Sequence, residues 1–190
     1  LAAGSDLELR GIYSSGPRIE SLLQKLPEAP PALRARGLIC CASLAWRRGD
    51  NDSAREFGQE GLDLARSSES HELVVHSLIT LAIAAEGSGR RDMAMAHLEE
   101  AERVVREHKL SDHWAHVIDN NLGNFALKHH GYAEARVRFE KSLAVSRREG
   151  RQYQLANNLL DLGTTDLAQD EFERAGVRCR ECLPLCESLG

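Results

Sequence analysis

The sequence predicts an all-α protein, a right-handed superhelical solenoid of antiparallel helix pairs. Of the 190 residues, 42% are hydrophobic but only 5% are aromatic. The core must therefore consist mainly of Leu, Ala, Val and Ile, which suit close contact between helices. Long stretches are also rich in the helix formers Ala, Leu, Glu and Arg. One plan, a helix, a short polar turn and a second helix, recurs with a period of about 40 residues.

Four polar turns mark this repeat. They are Gly49–Asp52, Gly89–Asp92, His130–Ala133 and Asp170–Glu173, and their first residues are 40, 41 and 40 positions apart. A small residue follows each turn in the same register: Ala54, Ala94, Ala135 and Ala175. Twelve residues before each of these stands another small residue, namely Ala42, Ala82, Gly123 and Gly163. The residues that precede these four are Cys41, Leu81, Leu122 and Leu162. Two helices joined by a tight turn approach closely only where both carry small side chains, so these positions predict the packing register.

The spacing predicts eight helices with defined ends. They are expected at residues 32–48, 52–67, 71–87, 91–108, 113–129, 132–148, 152–168 and 171–187. Pro30-Pro31 suits the first turn of the first helix. Pro184 falls inside the last one and should kink that helix or end it early. One helix pair cannot bury its own apolar faces, so successive pairs must stack.

The whole chain, 1–190, is predicted to form a single repeat domain. The four repeats occupy 32–70, 71–111, 112–150 and 151–190, and the last is expected to be a cap or truncated. Residues 1–31 are expected to hold a partial repeat, with Gly16-Pro17 as its turn and 18–26 as its second helix. Because the chain has no initiator Met, we expect it to be a fragment of a longer protein.

Charge and composition bear on the compartment and the partners. The net charge is −5 with acidic and basic residues interspersed, and the basic stripe that nucleic-acid binding requires is absent. No apolar run of about 18 residues predicts a membrane span, and no secretion signal is recognisable at the start. Five cysteines, an odd number, favour reduced thiols in a cytoplasmic protein.

The residue pattern of these repeats resembles the tetratricopeptide repeat in its longer form. The resemblance is carried by Leu122–Leu127, the turn Tyr132–Arg136 and the segment Phe139–Leu143, and by Leu44–Asp50 and Leu62–Arg66 in the first repeat. The Pro30–Arg36 entry and the turns further resemble the C-terminal repeats of bacterial regulatory ATPases and transcriptional regulators of the LuxR and AfsR type. One departure is Asp166, which stands where Ala45, Ala85 and Ala126 carry a small side chain.

Such a solenoid implies a concave face lined by the first helix of each pair. The residues predicted to project there are Arg36, Ile39, Ser43, His76, Ile79, Thr80, Ile83, Val117, Asn120, Asn121, Asn124, Asn157, Leu160, Asp161 and Thr164. Asn side chains both donate and accept hydrogen bonds, so Asn120, Asn121, Asn124 and Asn157 could form a ladder along the backbone of an extended peptide. The alternative is that these amides cap or bridge neighbouring helices.

Other chemistry-bearing residues are interpreted as structural. Cys179, Cys182 and Cys186 have a spacing that suggests zinc, but a closed site needs four ligands, and packing thiols are favoured, as for Cys40-Cys41. The pairs His113/His116 and His129-His130 are interpreted as surface or turn histidines. Gly87–Arg90 lacks the lysine and the strand of a phosphate loop and is interpreted as a helix–helix turn.

The leading functional prediction is a non-catalytic protein-interaction module without a cofactor. Its partner would be a protein, a peptide, or another domain of a larger cytoplasmic signalling or transcriptional regulator. One alternative is a self-association or spacer domain of that parent protein. A remote alternative, from another class, is a metal-binding protein that uses its Cys and His side chains.

Overall fold

The computed structural model describes residues 19, 21, 23, 25 and 27–189. Within that range the chain is all-helical, without strands, and contains eight complete helices. They are α1 (Pro31–Arg47), α2 (Asn51–Ser67), α3 (His71–Gly87), α4 (Arg91–Glu107), α5 (Asp112–Lys128), α6 (Tyr132–Glu149), α7 (Gln152–Leu167) and α8 (Phe172–Leu189). The predicted fold class is confirmed, and every predicted helix end lies within two residues of the observed one. The handedness of a superhelix stays a prediction.

The start of the chain is described only in part. Residues 19, 21, 23 and 25 are helical, within the predicted helix 18–26. The predicted turn Gly16-Pro17 and the rest of residues 1–18 lie outside the described residues. The repeat boundaries within 1–190 stay predictions.

Two compact units divide the chain, Leu1–Lys109 and Leu110–Gly190, here called unit 1 and unit 2. Unit 1 contains the pairs α1–α2 and α3–α4, and unit 2 contains α5–α6 and α7–α8. In each unit the two helices of a pair pack together, the second helix of the first pair packs on the next pair, and the two first helices contact each other.

The turn residues explain why the repeat keeps its register. The first residue of each predicted turn has a left-handed backbone, with φ of 80° at Gly49, 72° at Gly89, 62° at His130 and 58° at Asp170. The next residue then donates its N–H to the carbonyl five positions earlier: Asp50 to Ala45, Arg90 to Ala85, Gly131 to Ala126 and Glu171 to Asp166, at 2.8–3.0 Å. This is the hydrogen bond of the Schellman motif, which ends a helix and reverses the chain within a few residues.

The predicted packing register is buried in all four pairs. Ala54, Ala94 and Ala135 are 0% exposed and Ala175 is 3% exposed, and their partners Ala42, Ala82, Gly123 and Gly163 are also buried. Gly123 lies directly against its partner helix, since a Cβ atom there would lie 2.6 Å from Cε1 of the fully buried Phe139 ring. The small residue thus gives the aromatic ring its space.

Pro184 does not end the last helix. α8 continues past it to Leu189, so the expected early end is wrong. Pro184 lacks the amide proton that would pair with the carbonyl of Arg180. Because Pro184 is exposed, water can satisfy that carbonyl and the helix can continue.

Candidate protein-binding faces

The predicted face of unit 1, here the α1–α3 face, has an exposed edge and a buried base. Arg36 and His76 are exposed, and Ser43 and Ile83 are half-buried. Ile39, Ile79 and Thr80 are only 2%, 5% and 5% exposed, and the Thr80 hydroxyl donates to the carbonyl of His76 at 2.9 Å. A ligand on this face would contact the exposed and half-buried side chains. The three buried ones lie beneath them and support them.

The predicted face of unit 2, here the α5–α7 face, is more open and more polar. From α5, Val117, Asn120, Asn121 and Asn124 are half-buried. From α7, Asn157, Leu160 and Thr164 are exposed and Asp161 is half-buried. The structure brings these eight residues onto two helices that contact each other.

Asn120 connects the two helices of this face. Its amide nitrogen donates to Asp161 Oδ2 at 3.1 Å and to Asn158 Oδ1 at 3.2 Å. Asn124 donates to the side-chain oxygen of Asn120 at 3.2 Å and to its carbonyl at 3.0 Å. Asn121 donates to the carbonyl of Val117 at 2.8 Å. The bridging alternative is therefore observed for Asn120, whereas Asn121 and Asn124 bond within their own helix.

A buried polar cluster lies beneath these amides. Ser142 donates to Asn158 Oδ1 at 2.9 Å, and the Nδ1 atom of His116 lies 2.6 Å from the Ser142 hydroxyl. Asn158 donates to the hydroxyl of Ser146 at 3.1 Å, which donates to the carbonyl of Ser142 at 3.1 Å. Because Ser142 already donates to Asn158, His116 carries its proton on Nδ1 and donates to Ser142.

The sequence interpretation missed this cluster and misplaced His116. His116 was interpreted as a surface or turn histidine, but it is 5% exposed, and Asn158 is fully buried although its neighbour Asn157 is exposed. Successive helix positions point about 100° apart, so two adjacent Asn residues can differ in this way, one facing the core and the other facing solvent. The signal that could have found the cluster is the pair Ser142 and Ser146, four residues apart on the buried side of α6.

Burial shifts the pKa values of two groups at this site. Desolvation raises the pKa of Asp161 above its ordinary value, and the hydrogen bond from Asn120 opposes the shift. Desolvation also lowers the pKa of His116, so its neutral form is favoured. Asp161 is thus a carboxylate whose charge is costly here, and a positively charged or hydrogen-bond-donating ligand group would stabilise it.

An exposed apolar stripe on α7 was also missed. Tyr153, Leu160 and Leu167 are 64%, 50% and 51% exposed. They are spaced by seven residues, so they lie on one side of the helix together with Asn157 and Thr164. Only Leu160 was predicted; the seven-residue spacing was the available signal for the other two.

Asp166, the departure noted in the repeat, is the centre of an ion-pair network. It is fully buried, and its Oδ1 accepts from Arg136 at 2.9 Å. Arg174 and Arg178 approach the same carboxylate at 4.0 and 3.9 Å. Arg136 also donates to Glu171 at 3.0 Å. The network joins α6, α7 and α8, so the fourth repeat uses charge where the others use a small side chain.

The thiols are less buried than the sequence interpretation held. Cys41 and Cys182 are buried, but Cys40, Cys179 and Cys186 are exposed, so the prediction of packing thiols is wrong for these three. Only one side of each helix faces the core. A cysteine next to or one turn away from a buried one can therefore lie on the solvent side of the same helix. Gly87–Arg90 joins α3 to α4, as predicted for a helix–helix turn.

Among the residues that the structure describes, no three or more His, Cys, Asp and Glu side chains form a group that could hold a metal ion. No helix between residues 27 and 189 is long and apolar enough to cross a membrane.

Comparisons with known proteins address the fold. The tetratricopeptide repeat family model matches residues 33–107. A search of curated protein sequences gave no match. Among solved structures, a Rap protein complexed with Competence and Sporulation Factor has a TM-score of 0.85 at 14% identity, over 96% of this chain and 51% of that one.

Two other solved structures are similar. The apo form of RapI has a TM-score of 0.75 at 13% identity, over 97% of this chain and 51% of that one. The tetratricopeptide-like repeats of a putative kinesin light chain from Podospora anserina have a TM-score of 0.66 at 14% identity, over 94% of both chains. This chain spans about half the length of the two Rap proteins. The chain therefore has a tetratricopeptide-like helical-repeat fold.

Proposed function

We propose that the chain is a protein-interaction module that binds a protein or an extended peptide on the first helices of its repeats. The principal site would be the α5–α7 face of unit 2. The observation that carries the proposal is the combination on this face of half-buried amides with the exposed stripe Tyr153, Leu160 and Leu167.

The amides provide hydrogen bonds to a peptide backbone. Each Asn side chain has two N–H donors and an oxygen with two lone pairs. Asn121 and Asn124 are held in place by bonds to their own helix that use only part of this capacity. Asn157 is exposed on the adjacent helix. Amides that are already oriented lose less side-chain entropy on binding, which favours affinity.

The apolar stripe provides contact area. Aromatic and large aliphatic side chains contribute most of the binding energy in typical interfaces when a partner covers them. Tyr153 adds a hydroxyl to its apolar ring, a combination enriched at interfaces. Asp161 accepts a hydrogen bond from Asn120 and follows Leu160 in α7, so the preferred ligand would present a cation or an N–H donor there.

The fold supports a non-catalytic role. Tetratricopeptide-like folds generally serve as interaction scaffolds, and one similar Rap protein was solved with Competence and Sporulation Factor bound. We further propose that the module belongs to a larger cytoplasmic bacterial regulator of the LuxR or AfsR type. Within it, the ligand would favour one arrangement of the parent's domains.

Affinity capture with three baits tests the proposal. The wild-type chain, the face variant Asn157→Ala/Leu160→Ala/Thr164→Ala and the control variant Val137→Ala/Lys141→Ala are compared in lysate of the source organism. The face variant changes exposed α7 residues and leaves Asn120 with its partners Asn158 and Asp161. Val137 on α6 is 53% exposed, against 50% for Leu160, so the control removes a similarly exposed apolar residue.

The expected result is a protein or peptide captured by the wild type and the control but reduced about tenfold or more with the face variant, the equivalent of a loss of at least 1.4 kcal/mol. Equal capture by all three baits would place the interface elsewhere, and no specific capture by any bait would reject the proposal.

Self-association is the second candidate, because the same stripe could be covered by another copy of the chain. Sedimentation of the purified chain separates the two candidates. A dimer at micromolar concentration that the face variant abolishes would favour self-association, and a monomer at the highest attainable concentration would exclude it.

A further inference from the structure

Two thiols on α8 lie in contact across the edge of the core. The Sγ atoms of Cys182 and Cys186 are 3.4 Å apart. Cys182 is 2% exposed, packs with Ala156 and Leu159 of α7, and its thiol lies 3.5 Å from the carbonyl oxygen of Ala156. Cys186 is exposed one turn later. One thiol is therefore protected and the other is open to small reagents.

The helix is weakened between the two thiols. A disulfide needs a sulfur–sulfur distance of about 2.05 Å, which is ~1.4 Å shorter than the observed separation. It also needs Cβ atoms closer than the roughly 5–6 Å typical of positions i and i+4 in a regular helix. Pro184 stands between the two cysteines and provides no hydrogen bond to the preceding turn. The final turn, Leu185–Leu189, can therefore bend with fewer bonds to break.

We propose that Cys182 and Cys186 are a peroxide-reactive dithiol that forms a reversible disulfide within α8. The Cys186 thiol first gives up its proton to solvent, and its thiolate attacks hydrogen peroxide. An S–O bond forms, the O–O bond breaks, and the departing hydroxide takes up that proton and becomes water. The thiol of Cys182 then attacks the sulfur of the Cys186 sulfenic acid. An S–S bond forms, the S–O bond breaks, and the hydroxide leaves with the Cys182 proton as a second water.

The order of these steps follows from exposure. Cys186 is open to peroxide, whereas burial raises the pKa of Cys182 to about 11 and keeps it as a thiol. An accessible thiol next to a resolving thiol is the usual arrangement of redox-responsive cysteines. Formation of the disulfide draws Cys186 towards the buried Cys182, so oxidation should distort the last turn of α8 and loosen the packing of Leu185 against the core.

Peptide mapping of the intact protein tests the proposal. The purified protein is treated with one equivalent of hydrogen peroxide, remaining thiols are alkylated, and the protein is digested with trypsin. Cleavage after Arg180 gives a peptide that begins at Glu181 and carries both Cys182 and Cys186, while Cys179 lies upstream of the cut. In the expected result, this peptide escapes alkylation and is about 2 Da lighter than the reduced, unalkylated peptide. Dithiothreitol reverses the loss. Hydrogen exchange should rise in Leu185–Leu189 of the oxidised protein.

Three variants complete the test. Cys186→Ser, at an exposed position, should abolish the mass loss and leave Cys182 open to alkylation after denaturation. Cys182→Ala should leave Cys186 as sulfenic or sulfinic acid, and Cys179→Ser should behave as the wild type. Oxygen addition at Cys186 of the wild type without an internal link, or a dimer linked through Cys186, would overturn the proposal. So would a mass loss that persists in Cys186→Ser.

Discussion

At the residue scale, close packing is set by individual small side chains whose importance differs between repeats. Gly123 and Gly163 hold the same register in consecutive repeats, yet their surroundings differ. A Cβ atom on Gly123 would lie 2.6 Å from the buried Phe139 ring, whereas on Gly163 its nearest neighbour would be Arg178 Cβ at 3.6 Å.

We expect Gly123→Ala to lower the free energy of unfolding by about 1–2 kcal/mol. Overpacking a core costs roughly 1–3 kcal/mol, and the better helix propensity of Ala returns up to about 1 kcal/mol. Gly163→Ala is the matched control and should raise stability by about 0.5–1 kcal/mol. Urea unfolding of both variants checks this. Equal changes in the free energy of unfolding for the two substitutions would show that the close contact with Phe139 does not exclude a side chain at position 123.

Asp166 gives a second prediction at this scale. Asp166→Ala restores the residue found at Ala45, Ala85 and Ala126, yet we expect it to destabilise the protein by about 2 kcal/mol, because Arg136 loses its buried carboxylate partner, although it keeps Glu171. Glu107→Ala, which removes an exposed partner of Arg103, is the control and should cost less than about 1 kcal/mol. Thermal unfolding of both variants decides. A gain in stability for Asp166→Ala would mean that packing of a small side chain at this position stabilises the protein more than the ion pairs of Asp166 do.

At the scale of elements, helix ends were more predictable from the sequence than side-chain environments. A tight turn needs a residue with a left-handed backbone, which glycine adopts readily. Gly49 and Gly89 therefore mark two turns in the sequence, and each turn defines the end of one helix and the start of the next. His116 gave no such signal, because its burial depends on how α5, α6 and α7 pack together. Exposure of the α7 stripe likewise depends on what covers that helix.

The buried cluster around His116 should make stability depend on pH. Burial lowers the pKa of this ring below its ordinary 6.5, and the nearby His113 and Arg151 act in the same direction, while the Ser142 carbonyl and Glu149 oppose it. As the pH falls through 6.5, the unfolded chain therefore binds a proton that the folded chain does not, and the free energy of unfolding decreases.

His116→Asn preserves a donor towards Ser142 but removes the titrating group. We expect the variant to lose less stability than the wild type between about pH 7 and pH 5. Urea unfolding over this range measures the difference. Since His76 and His97 also have lowered pKa values and remain in both proteins, parallel curves would show that His116 is not responsible.

At the scale of the whole molecule, repetition builds the helical scaffold, and the proposed binding face lies on unit 2. The fold class and the eight helices followed from the 40-residue spacing, because one register recurs in every pair. The face could be predicted only as a set of positions, such as Asn120 and Leu160. Which of them bridge helices and which are exposed depends on packing between α5 and α7.

Site-specific photo-crosslinking in source cells tests the central claim most directly. A photoreactive phenylalanine analogue is placed at Leu160 on the α5–α7 face or at Val137 on α6, two apolar positions that are 50% and 53% exposed. We predict a discrete crosslinked protein or peptide from position 160 and none of that mass from position 137. The same product from both positions, or a product from position 137 alone, would contradict the proposed binding face.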